Sequence, residues 1–185
     1  MGDYFQVIAD IEATGDEAPR LAADLLTWLV AEGIVRAERT DCVLGAPLGN
    51  PPGPRYEAAV TTPDGHLRTM RTNGVEVFAA ATVVDSGQGG GDDEFRCPHC
   101  GAVSTYGDPQ WEPFETAMSA WHADRPSDVT CVACGWSAPI GDWAAAWAFA
   151  RVGLQFWNWP PLRPEFVAEA GRHLGHRVRL IDGKL

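Results

Sequence analysis

Two copies of Cys-x-x-Cys-Gly, Cys97-Pro98-His99-Cys100-Gly101 and Cys131-Val132-Ala133-Cys134-Gly135, hold the residues of this 185-residue chain best suited to chemistry. Two thiols three positions apart on one tight turn can point at a common centre. A glycine after the second accepts a positive φ and exposes backbone N–H groups that bond to the sulfurs. Two such turns supply four sulfurs in a tetrahedron, which suits Zn2+ and also a single iron ion. Cys97, Cys100, Cys131 and Cys134 therefore read as metal ligands. A closed four-thiolate site leaves no position for water or substrate, so the metal would be structural, contributing on the order of 10 kcal/mol to folding. Catalysis would need an open position with His99 or His122 nearby. A pair of disulfides fits poorly, because Met1-Gly2-Asp3-Tyr4 has no basic region ahead of a hydrophobic one and predicts a cytoplasmic, reducing location. A thioredoxin-like redox motif would open a helix after a strand and would leave the second copy unexplained.

On these two motifs, residues of about 94–140 resemble the zinc-ribbon group of four-cysteine modules. The resemblance implies zinc, with each knuckle at the end of a hairpin and Ala102–Thr105 and Trp136–Ile140 as the strands that follow. Thirty residues separate Cys100 from Cys131, more than a minimal ribbon needs, and the excess has room for a helix around Pro113–His122. Rubredoxin-like electron carriers place iron in a similar set of knuckles. The rest of the chain has no flavin or nicotinamide signature to receive an electron, which favours zinc.

The elements that must position the cysteines are legible in outline. Tyr4–Ile11, with β-branched and aromatic residues in partial alternation, reads as a first strand. Leu21, Leu25, Trp28 and Leu29 recur at helical spacing, with Gly33 as the stop. Strand-like runs follow at Arg39–Leu44 and Tyr56–Thr61; Asp64-Gly65 and Asn73-Gly74 read as hairpin turns around His66–Thr72, and Val75–Val84 is the most strand-like stretch. Ser86–Glu94, glycine-rich and then acidic, predicts a hinge. Asp142 is placed to cap a helix with Trp143, Trp147, Ala150, Leu154 and Trp157 on its stripe, stopped by Pro160-Pro161. A helix over Pro164–Leu174 and a strand over Arg177–Ile181 would return the C-terminus to the N-terminal sheet. The order predicts an α+β fold, ferredoxin-like in sequence of elements, with an inserted four-cysteine zinc-ribbon-like module. Its parts are an N-terminal α+β part (1–90), the insertion (91–141), and C-terminal helices and strand returning to the first part (142–185).

Composition narrows the function. With 45% hydrophobic and 21% charged residues the chain is not disordered in bulk, and no stretch approaches a membrane span. The net charge of −11 disfavours nucleic acid and anionic lipid. Residues 1–90 and 91–145 each carry −7, and residues 146–185 carry +3. Of fourteen basic residues only Lys184 is lysine, a bias expected of a GC-rich, bacterial coding sequence. Seven of eight tryptophans lie between Trp111 and Trp159, where they form either a core or a partner-binding face; on the second reading Trp143, Trp147, Trp157 and Trp159 contact the partner. Arg172, Arg177 and Arg179 form the one basic cluster, a candidate partner or phosphate site, and its His173 and His176 are candidates for a second metal site. Cys42 reads as a small buried residue on a strand. The reading leans away from an enzyme and toward a zinc protein that binds a basic protein partner through an acidic, tryptophan-rich surface, for example as an inhibitor or immunity-type protein. Its alternatives are a metal-dependent enzyme, a rubredoxin-like carrier, or nucleic-acid binding through the arginines. The oligomeric state is left open.

Overall fold

The computed structural model describes residues 2–45, 48–86, 94–145 and 147–185, so most of the expected hinge over Ser86–Glu94 lies outside the described residues. Strand β1 (Tyr4–Asp10) puts Phe5, Val7 and Ala9 on one face and Ile8 on the other, and both sets are buried. Helix α1 (Ala18–Ala31) has Pro19 in its first turn and buries Leu21, Leu25, Trp28 and Leu29, the stripe its spacing predicts. Gly33, at φ +68°, follows its end.

The next three runs differ from expectation. Arg39–Leu44 makes an isolated bridge from Thr40 to Gly49, and its Cys42 carbonyl accepts from Asn73 and Gly74 in place of a strand ladder. Tyr56–Thr61 begins as a 3-10 turn over Tyr56–Ala59. Tyr56 and Ala59 are both buried, and a 3-10 turn brings residues three apart to one side where a strand would point them to opposite faces. Gly65–Thr69 is also a 3-10 turn, with the Asp64 side chain accepting from the His66 N–H.

The run Val75–Val84 divides into β2 (Val75–Phe78) and β3 (Thr82–Val84), which join different sheets. Short elements surround the cysteines: β4 (Phe95–Arg96), β5 (Val103–Ser104), α2 (Trp111–His122), β6 (Asp128–Thr130), β7 (Ser137–Pro139) and β8 (Ala144–Ala145). The helix expected after Asp142 is not formed. Beyond β8 the chain runs as β9 (Ala148–Ala150) and β10 (Val152–Trp157). Its helical-looking stripe is a subset of a nearly continuous apolar run: every residue of β9 and β10 except Gln155 is buried, as in a strand covered on both faces. Gly153 fits that arrangement, since a Cβ there would stand 2.2 Å from the Phe78 ring. Helix α3 (Pro164–Leu174) and β11 (Val178–Lys184) complete the chain, with Gly175 at φ +75° after α3.

The largest sheet has the order β11-β1-β10-β2, every neighbouring pair antiparallel. In chain order the elements of this sheet and its covering helices run strand, helix, strand, strand, helix, strand. The molecule is thus mixed α+β. α1 and α3 cover one face of this sheet over a core that includes Leu29, Leu154, Phe156 and Phe166. Cys42, Val43, Val84, Ala148 and Ala150 cover the other. A separate core of Phe95, Phe114, Val129, Ile140, Trp143 and Phe149 encloses Cys97 and Cys131.

Candidate metal centre

Each Cys-x-x-Cys-Gly motif is a turn closed by the same two backbone bonds. Gly101 N–H donates to the Cys97 carbonyl and Cys97 N–H to that of Ala102, both at 3.0 Å; Gly135 N–H donates to Cys131 and Cys131 N–H to Trp136, both at 2.8 Å. Gly101 and Gly135 sit at φ +73° and +71°, where a side chain would strain the turn. β4 and β5 pair antiparallel around the first knuckle, β6 and β7 around the second. The strands expected over Ala102–Thr105 and Trp136–Ile140 are present as β5 and β7.

The two turns bring the four sulfurs within 4.8 Å of one another. Cys97 and Cys134 Sγ are 4.0 Å apart, Cys100 and Cys131 Sγ 3.8 Å. A tetrahedron with metal–sulfur bonds of about 2.3 Å has edges of about 3.8 Å, so the thiols stand where metal-bound thiolates would. A disulfide needs about 2.05 Å, and all five cysteines are free. Burial opposes ionisation of the Cys97 thiol, but backbone N–H groups of Cys100 and His99 donate to its sulfur and, with neighbouring thiols, bring it down to about 7. Cys134 moves the other way. The Trp136 N–H favours its thiolate, while burial and the three surrounding thiols push it up to about 12. Four sulfurs this close cannot all ionise unaided, and a divalent cation removes the conflict.

Two side chains that the motifs did not reveal brace the knuckles. Gln110 is buried; its Nε2 donates to the Thr130 carbonyl at 2.9 Å and its Oε1 accepts from the Val132 N–H at 2.7 Å. The carboxamide takes the place that a peptide group of a neighbouring strand would take. The Arg96 guanidinium donates to the Gly101 carbonyl at 3.0 Å. The long spacer was the available signal: it forms α2, whose Phe114 and Ala117 pack with Phe95 and Val129 around the inner cysteines.

The remaining candidates are scattered. His99 stacks on Trp136 with centroids 4.7 Å apart, and His122 meets the Trp121 ring edge-on at 5.0 Å. Neither belongs to the sulfur cluster. His173 stacks on Trp28, while His176 Nδ1 lies 2.9 Å from an Asp10 carboxylate oxygen, so these two histidines are not gathered into a second metal site. Cys42 is buried, as expected, but in a loop.

The tryptophans expected at a partner face are mostly enclosed. Trp143, Trp157 and Trp159 are 2%, 3% and 1% exposed, and Trp147 is half-buried against the core around the cysteines. Trp157 is enclosed because it ends β10, a strand buried on both faces, where it packs with Phe5 and Val84. Trp159 Nε1 also donates to the Asn73 carbonyl at 2.7 Å. Trp136, 51% exposed, is the tryptophan that faces solvent. Among the arginines, Arg172 is exposed, Arg177 pairs with Glu12 and Asp142, and Arg179 donates to the carbonyls of Gly141, Trp143 and Trp147. Two of the three therefore already have partners within the chain, Arg177 at the surface and Arg179 half-buried.

Comparison of the chain with protein-family models, with curated proteins and with solved structures returns no match. Among the described residues no helix is long and apolar enough to cross a membrane.

Proposed function

We propose that this chain is a zinc protein whose metal is structural and whose function is to bind another protein. The observation that carries the first part is the closure of the site: four cysteine sulfurs within 4.8 Å of one another, on two like knuckles, fill a tetrahedral shell. The binding part is supported by charge. A net −11, with −7 over residues 91–145, attracts a cationic partner and speeds encounter with it. An inhibitor or immunity-type protein acting on a basic target is one form of this reading. With Trp143, Trp157 and Trp159 enclosed, the partner meets acidic side chains and the exposed Trp136 and Val132 beside the second knuckle.

Elemental mass spectrometry on natively purified protein, paired with metal K-edge absorption, tests the metal. One zinc per chain with four sulfurs at about 2.3 Å is expected. Cys97→Ser and Cys134→Ser are expected to lose the metal and lower the melting temperature. Iron, or zinc with fewer sulfurs and a light-atom ligand, overturns the structural reading and favours electron transfer or hydrolysis. Affinity capture at low and high salt tests the partner: capture that salt weakens is expected, and its failure at every salt concentration overturns protein binding.

A further inference from the structure

The acidic segment has a groove built into it. Helix α2 and strand β6 flank a space of about 460 Å³, lined by Glu112, Thr116, Ala117, Ala120, Asp128 and Thr130 with three prolines. Two carboxylates line it and no basic side chain does.

One wall is a strand edge. β6 and β7 form a two-stranded sheet. Cys131 N–H donates to the Trp136 carbonyl and Ile140 N–H to that of Ser127. With Asp128 opposite Pro139, Val129 opposite Ala138 and Thr130 opposite Ser137, antiparallel alternation turns the backbone groups of Val129 toward β7 and those of Asp128 and Thr130 outward. Pro139 lacks an N–H on the outer side of β7, so that edge is poorly suited to a further strand. The outer edge of β6 is different. Gln110 already imitates a paired strand at one end of it, through the Thr130 carbonyl and the Val132 N–H, which places the start of α2 alongside. Beyond Gln110 the Thr130 N–H and both backbone groups of Asp128 face outward, and no described residue bonds to them.

We propose that this groove receives an extended basic segment of a protein partner, which adds to β6 as a third strand. The inference rests on the protein-binding reading and names the site and the partner's chemistry. Charge selects the occupant, since Glu112 and Asp128 stand on the two walls with no cation between them. In strand addition main-chain bonds supply affinity and alternate side chains supply selectivity. The edge accommodates about four residues at about 3.3 Å each. Side chains on the face shared with Asp128 lie beside its carboxylate, with Glu112 on the facing wall, and are arginine or lysine. Those between pass over Ala117 and Ala120 and are small. The recognised pattern alternates basic with small residues.

The test is fluorescence anisotropy with the metal-loaded full chain and a labelled hexapeptide alternating arginine with alanine. Comparison peptides replace arginine by glutamate, or carry N-methyl groups on every arginine amide or on every alanine amide. In an added strand only one set of amides faces β6, so one methylated peptide binds about tenfold more weakly and the other keeps its affinity. The glutamate peptide does not bind. A Glu112→Gln/Asp128→Asn variant that retains its metal and melting temperature binds the arginine peptide about tenfold more weakly. Equal affinity of the two methylated peptides, unchanged binding by the variant, or no binding of the arginine peptide overturns the proposal. Salt-sensitive partner capture that the variant leaves intact overturns the groove alone, whereas absence of capture at every salt concentration overturns the protein-binding reading with it.

Discussion

Gln110 makes no bond to a metal, yet the second knuckle leans on it. Its amide spans Thr130 and Val132, the residues on either side of Cys131. Replacing it by alanine leaves a carbonyl and an N–H without their partner, at a cost of about 1–3 kcal/mol. Gln110→Ala is therefore expected to lower stability by that amount in denaturant unfolding and to speed zinc transfer to a chromophoric chelator. Unchanged stability and transfer would show that the knuckle holds itself. The contrast with the cysteines explains what was legible. Each Cys-x-x-Cys-Gly turn closes within six residues, Cys97 to Ala102 and Cys131 to Trp136, so the chain states it locally. Gln110 acts across 20 and 22 positions, with no pattern to announce it.

Elements with local signals were readable: α1 by its apolar spacing and Gly33, α3 from Pro164 to Leu174, β1 by partial alternation. The region 144–157 was not, because apolar residues at nearly every position satisfy helical and strand periods alike, and the deciding partners, β1 and β2, lie far away in sequence. The same distance hid the use of the basic cluster. On β11, Arg179 is half-buried, and burial pulls its pKa below the ordinary arginine value. Its guanidinium nevertheless reaches three carbonyls in the segment between β7 and β9, tying that segment to the edge of the large sheet. Arg179→Met keeps the length of the side chain and removes these donors. A loss of about 1–3 kcal/mol is expected in urea unfolding. Arg179→Lys should recover little of it, since one ammonium cannot reproduce a planar fork.

At the scale of the whole molecule the chain leaves the large sheet after β2 and returns to it as β10, with the four cysteines in between. Phe78 and Gly153 face each other across that pairing although 75 positions separate them. Cys97 and Cys134, 37 positions apart, are gathered at one point inside the same excursion. A metal that joins them shortens the path the chain must close to pair β2 with β10 by about half, and halving a loop saves about 0.6 kcal/mol of closure entropy. If the knuckles assemble before the sheet, refolding with zinc present is therefore about threefold faster than refolding in chelator. Stopped-flow tryptophan fluorescence would measure it. Equal rates would mean that the sheet pairs first and the metal arrives afterwards. Faster refolding with zinc would give the cysteine cluster a kinetic role apart from local stability: a clasp that sets how quickly two distant strands find each other.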